Sequence, residues 1–279
     1  MMIISNQMNN LPDELIKAVK EFVIFKPTIK HDLKRAVDLW CEDKAAAKAK
    51  YGDISIWDTS LIIDMERLFH DKHSFNDNIN DWDVSNVLSM DGMFWNARAF
   101  NQLLDKWNVS NVENMRGMFR EARIFNQPLN SWNTSNVKQM GMMFHETQHF
   151  NQPLDNWDTS NVVSMTGMFC AAEKFNQPIE MWNTSNVTDM SFMFREASTF
   201  NQPLNDWDTS QVWTMCCMFL EAVSFNQPLD KWDIDNVLDY NCMLGFAISF
   251  KQSLGTWNLP QKDIDDIFRD PFHHNRYRV

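Results

Sequence analysis

Tryptophan recurs along this chain with a constant step of 25 residues, at Trp57, Trp82, Trp107, Trp132, Trp157, Trp182, Trp207, Trp232 and Trp257. The text around each is nearly constant; one copy runs from Phe125-Asn126-Gln127-Pro128-Leu129 through Trp132 to Met143-Phe144. A fixed period of this size means that each unit buries its apolar face only by stacking on its neighbours. The 279 residues therefore count coils of an array more than they count domains. Three regions follow: a helical N-terminal cap over 1–52, a repeat array over 53–259, and a C-terminal cap helix with a tail over 260–279.

Helices are expected outside the array. Leu11, Leu15, Ala18, Val19 and Phe22 share one helical face after Pro12, a residue suited to a helix start. A second helix is predicted from Ile29 to Trp40 through Leu33, Ala36 and Val37, and a third over 43–50, stopped by Gly52. A last helix is predicted over Gln261 to Phe268, ahead of the tail His273 to Arg278.

Inside a coil, Pro128, Pro153, Pro178, Pro203 and Pro228 disfavour helix just before them, so Gln-Pro-Leu-x-x-Trp reads as an extended segment at a strand edge. Asp158-Thr159-Ser160-Asn161 and its equivalents read as a turn closed by side-chain bonds to nearby backbone. Gly167-Met168-Phe169-Cys170-Ala171-Ala172 and its equivalents place apolar residues at helical spacing and predict one or two turns of helix. The row Asn76, Asn101, Asn126, Asn151, Asn176, Asn201 and Asn226 reads as a structural ladder that satisfies backbone groups. With strand-like spacing between coils, the stack would extend about 40 Å.

The twenty-residue text from Phe200 to Phe219, with Gln211 where Asn is usual, resembles the 25-residue repeat of the BspA-type leucine-rich-repeat surface proteins. The likeness covers about Tyr51 to Trp257. It implies an α/β repeat solenoid, a leucine-rich-repeat-like right-handed stack of about nine coils with short strands and short helices. Such repeats occur in bacterial surface lipoproteins, protists and large double-stranded DNA viruses. The stretch from Leu33 to Gly52 is similar to the lead-in of protist and viral members. Members on bacterial surfaces act as adhesins; without a secretory signal or lipidated cysteine here, a viral or intracellular member is expected, cytoplasmic or virion-associated.

Charge limits the partners. The chain carries a net −12, and the stretch between residues 50 and 260 holds 12 basic and 26 acidic residues, a net of −14. Such a body repels phosphate backbones, so nucleic acid is an unexpected partner. No apolar run is long enough to span a membrane. The cysteines Cys41, Cys170, Cys216, Cys217 and Cys242 lack disulfide or zinc spacing and are expected to be reduced thiols. Cys217 and Cys242 are 25 apart, but their slot holds Gly92, Gly117, Met142 and Gly167 in other coils and reads as a small or apolar position.

Chemistry has one conspicuous candidate. His145-Glu146-Thr147-Gln148-His149 matches H-E-x-x-H, a helical zinc motif with glutamate as base. The same slot reads Arg120-Glu121-Ala122-Arg123 and Arg195-Glu196-Ala197-Ser198 elsewhere, so Glu146 is the ordinary repeat glutamate and no third ligand is in view. His70 and His73 read as a surface pair. The sequons at Asn108, Asn133, Asn183 and Asn186 follow from the repeat text. No cofactor, metal or enzymatic activity is expected.

Recognition is the expected use, with a protein partner. The variable residues before each Trp, Asp105 and Lys106, Asp155 and Asn156, Glu180, Asn205 and Asp206, Asp230 and Lys231, should fall on one face as a mostly acidic stripe. Trp95 and Trp213 lie outside the Trp period, and a large aromatic at a variable slot suits an anchor. Two other readings compete with a binding scaffold: a structural component of a virion or surface layer, and an F-box-like adaptor beginning at Leu11-Pro12-Asp13-Glu14-Leu15.

Overall fold

The computed structural model describes residues 24–270. The helix expected over Leu11 to Val23, the F-box-like start within it and the tail from His273 lie outside these residues. The elements in order are α1 (Lys30–Glu42), α2 (Lys44–Tyr51), a 3₁₀ turn (Ile54–Ile56), the stacked coils, a second 3₁₀ turn (Gly255–Trp257) and α3 (Gln261–Ile267).

Helix α1 buries Leu33, Ala36, Val37 and Trp40, the stripe its apolar spacing predicts. Asp43 caps α2 by accepting from the Ala46 amide at 2.9 Å, and Gly52 ends it at φ 76°. Together they cover the first coil. The Trp57 ring meets Phe25, Trp40 and Tyr51 edge-on at 5.1, 5.9 and 6.1 Å, and the Trp40 indole donates to Asp77. At the other end α3 supplies an unexpected complement: the last coil's Cys242 and Leu244 amides donate to the Asp266 and Ile267 carbonyls. Those carbonyls belong to the last turn of a helix, past the last amide that could reach them in α-helical fashion, and Asp266 also accepts from Arg269 at 3.3 Å.

The α/β architecture expected for the coils is not what forms. Among the described residues the coils contain no strand and no α-helix; they are turns joined by isolated parallel bridges at Asp64, Ser89, Asn114, Gln139, Ser164, Asp189, Thr214 and Asp239. This corrects both the leucine-rich-repeat-like class and the reading of Gly-Met-Phe-x-x-Ala as helix. The cause is a pair of left-handed residues four apart in each coil, such as Arg67 and Asp71 (φ 54° and 60°), Gly167 and Ala171 (58° and 54°), and Cys217 and Glu221 (54° and 61°). A helix needs unbroken right-handed backbone.

The left-handed residues turn alternate amides along the stack. Met165, Gly167, Phe169 and Ala171 donate to the Asp189, Ser191, Met193 and Arg195 carbonyls of the next coil at 2.7 to 3.1 Å. Between them, Met168, Cys170 and Ala172 close tight turns on Met165, Gly167 and Phe169. The apolar side chains still emerge at intervals of three and four, which is why the spacing imitates a helix.

A left-handed conformation strains any residue with a Cβ by roughly 1–2 kcal/mol, whereas glycine enters it freely at some entropic cost. Ala171, which has little side chain to lose, tests this. Ala171→Gly should raise stability by about 0.5–1 kcal/mol in urea unfolding, and a lowered midpoint would show that the backbone there is relaxed.

The Gln-Pro-Leu-x-x-Trp segment forms no strand because side chains take over its hydrogen bonding. Asn126 Oδ1 accepts the Asn151 amide at 2.9 Å, and the same pattern joins Asn76 to Asn101, Asn101 to Asn126 and onward to Lys251. The Gln that follows each Asn donates to the Asn below it, as Gln127 Nε2 does to Asn101 Oδ1 at 2.9 Å. The asparagine row is thus a backbone-satisfying ladder that runs along the surface, exposed at Asn76 and Asn151 and half-buried at the others. From Trp82 to Trp257 each indole N–H of the row donates to the carbonyl 28 residues earlier, Trp132 to Leu104 and Trp157 to Leu129 at 3.1 and 3.0 Å. Asp158 and its equivalents accept the amide two residues on, closing the predicted turn. Behind these runs one continuous core of Trp, Leu, Val, Met and Phe columns. Phe rings at equivalent positions, Phe94 on Phe119 and Phe119 on Phe144, stack nearly parallel at 5.6 and 5.8 Å.

Candidate functional site

With the core and backbone accounted for, the outward side chains of each coil carry what chemistry the surface has. The residues before each Trp do come together into a row. Asn80 donates to Asp105, Asn130 to Asp155 and Asn205 to Asp230, at 2.7, 2.9 and 2.9 Å. The backbone amides of Lys106, Asn156 and Lys231 bond back to Asn80, Asn130 and Asn205. Lys106 pairs with Asp81 and Lys231 with Asp206 at 2.6 and 2.7 Å. Glu180 is half-buried with Oε2 shielded and unbonded, and Met181 beside it is exposed. Much of the row's charge is therefore spent on neighbours one coil away.

Trp95 and Trp213 have different surroundings. The Trp95 ring lies under the Arg67 and Arg120 guanidinium groups at 5.5 and 4.5 Å, meets His70 edge-on at 4.7 Å, and donates to Glu121 at 3.1 Å. Cation–π contacts from the preceding and the following coil tie three coils together. Trp213 is 50% exposed.

Trp213 belongs to a column that sequence reading did not single out: Ile63, Leu88, Glu113, Lys138, Val163, Thr188, Trp213 and Leu238. Each amide donates to the carbonyl of its counterpart one coil earlier, Trp213 to Thr188 at 3.0 Å and Leu238 to Trp213 at 2.9 Å. Ile63, Leu88, Val163, Trp213 and Leu238 are all exposed, Leu238 at 83%. The Glu113–Lys138 ion pair at 2.7 Å separates Ile63 and Leu88 from Val163, Trp213 and Leu238, and Thr188 interrupts the latter group after Val163. A signal was present in the sequence. A slot that accepts Glu113 and Lys138 must face water, so Ile63, Leu88, Val163, Trp213 and Leu238 in that slot must face it too.

The H-E-x-x-H segment lies in turns, with Glu146 left-handed at φ 55°. His149 Nδ1 is bonded to the Arg123 carbonyl at 3.0 Å, and His145 Nε2 lies 3.5 Å from Glu146. The zinc motif depends on a helix to bring its two imidazoles to one face, and no helix exists here. Burial first, then the nearby Arg120 charge, holds the His145 imidazole below its usual pKa. Among the described residues no group of three or more His, Cys, Asp or Glu is placed to hold a metal ion, and no helix is long and apolar enough to cross a membrane.

Fold and surface together define a repeat protein, an array of hydrogen-bonded 25-residue coils between helical ends. Its sequence matches the family described as "Mycoplasma protein of unknown function, DUF285" over residues 41–157, 99–192, 128–214 and 177–276, and the chain belongs to that family. The overlapping matches follow from the internal period. No curated protein and no solved structure matches the chain.

Proposed function

We propose that this protein is a non-enzymatic scaffold that binds another protein through the outward column centred on Trp213. The observation that carries the reading is the exposed pair Trp213 and Leu238 on adjacent coils, with exposed Val163 two coils before Trp213 across Thr188, all on one backbone ladder. Singly exposed apolar residues are ordinary, but a tryptophan and a leucine exposed side by side on adjacent coils suit an interaction surface. Preorganisation adds to this, because a partner orders little backbone on binding. Lys106, Asp206 and Lys231 in the neighbouring polar row are already engaged in ion pairs, which favours the apolar column over that row. The scaffold would work in a thiol-reducing setting, cytoplasmic or virion-associated, and the lead-in from Leu33 to Gly52 supports a viral or protist-like origin.

A photo-crosslinking residue at position 213 of the full chain, expressed in its native cells, should capture a specific protein. Trp213→Ala with Leu238→Ser should weaken binding of that purified partner at least ~10-fold, a cost of about 1.4 kcal/mol or more. Asp206→Asn with Lys231→Gln should leave it within about twofold. The reverse ranking would move the interface to the polar row, and no change in either variant would remove both.

A further inference from the structure

The C-terminal coils hold a cluster of thiols that neither the fold nor the proposed scaffold uses. Cys217 and Cys242 occupy one slot on successive coils, with the same left-handed backbone at φ 54°. They pack together with Leu220, flanked by Phe192 and Cys216, and are only 8% and 6% exposed. The Cys216 thiol donates to Cys217 Sγ at 3.6 Å. All are free thiols. Backbone bonds from Cys217 to Asn241 and from Cys242 to Asp266, 2.9 and 2.8 Å, fix this register.

Like residues on coils joined by parallel bridges lie about 4.8 Å apart, inside the span of about 4.4–6.8 Å between Cα atoms that a disulfide bridges. Elsewhere the slot holds Arg67, glycine, Met142 or Phe192, so the paired thiols are particular to these two coils. The location is where packing loosens: Leu254 and Trp257 are 8% exposed, whereas their counterparts Leu229 and Trp232 are 0% and 4%.

We propose that Cys217 and Cys242 form a peroxide-sensitive modification site, closing to a disulfide that staples the last two full coils. Cys217 sulfur attacks hydrogen peroxide, the O–O bond breaks, and Cys217 becomes a sulfenic acid with release of water. Cys242 sulfur then attacks that sulfur, forming the S–S bond and expelling a second water. Two thiols and one peroxide thus yield one disulfide and two waters, the sulfurs losing two electrons that the peroxide gains. The hydrogen bond from Cys216 holds the Cys217 thiol below its usual pKa, which raises its thiolate fraction. Burial raises Cys41 to about 11 and Cys170 to about 12, and raises Cys242 as well, so Cys217 is the thiol that meets peroxide first and Cys242 the one that resolves it.

The test treats the reduced full-length protein with about one equivalent of hydrogen peroxide, blocks remaining thiols by alkylation, and maps peptides without reduction. The expected product is a dithiothreitol-reversible link between the Cys217 and Cys242 peptides, with Cys41 and Cys170 alkylated. The melting temperature should rise by roughly 5 °C, because the link closes a 25-residue loop in the unfolded chain. In Cys242→Ser, a sulfenic-acid probe should label Cys217. A link only between Cys216 and Cys217, or oxidation spread equally over all five cysteines, would overturn the proposal. So would a Cys217 that stays fully alkylatable in the wild-type chain, a readout that does not depend on any variant folding.

Discussion

Trp132→Ala is expected to destabilise the protein by about 3–5 kcal/mol in urea unfolding, against about 1 kcal/mol for Trp132→Phe. The indole is 3% exposed and stacks on Trp107 and Phe119 at 6.4 Å, so removing it opens a cavity between coils. Phenylalanine keeps most of the contact and loses the N–H. The Leu104 carbonyl then retains only the Trp107 amide, which it also accepts at 3.2 Å. Tryptophan at this slot therefore fills volume and joins coils by a bond that no other apolar residue can make. Equal losses for both variants would mean that the hydrogen bond dominates and the stack is worth little.

Deleting residues 126–150 should leave a folded, cooperative protein, while deleting Lys138 alone should cost on the order of 5 kcal/mol. The whole-coil deletion joins Phe125 to Asn151, so the next Asn meets Asn101 in the place of Asn126 and every column stays in register. Its denaturant slope should fall with the surface removed. Loss of Lys138 breaks the column link from Lys138 to Glu113 and leaves a 24-residue step between Trp132 and Trp157, which shifts the amides that bond at 139–146. The bonds at that junction fail together, because none can shift without moving its neighbours. Circular dichroism and urea melts distinguish the two; a whole-coil deletion that aggregates would argue against nearest-neighbour additivity.

The helices flanking the array were legible because their amphipathic spacing at Leu33, Ala36, Val37 and Trp40 has few alternative solutions at that length, and because Gly52 punctuates it. The Asx turn at Asp158 was legible because its hydrogen bond is local, spanning two residues. The coil interior was misread. Met165, Met168, Phe169 and Ala172 have the spacing of a helix face, yet the backbone reaches it through left-handed steps at Gly167 and Ala171. Non-glycine residues such as Arg67, Glu121 and Phe192 adopt those steps as well, so composition gave no warning. Trp213 was legible as an off-period aromatic. Its companions Val163 and Leu238 were not, since apolar residues at single slots look like core until a charged residue in the same column shows that the slot faces solvent.

The amino-acid text by itself determined the period, the register and the residues of the core, because a step of 25 with one Trp, Leu, Val and paired Phe per unit can be buried only by stacking like on like. Only the tertiary structure decided the conformation of each coil. An amide that has no partner within its own coil takes one from the next, and that demand, met at Met165, Gly167, Phe169 and Ala171, outweighs the local preference for helix that the same residues would express alone.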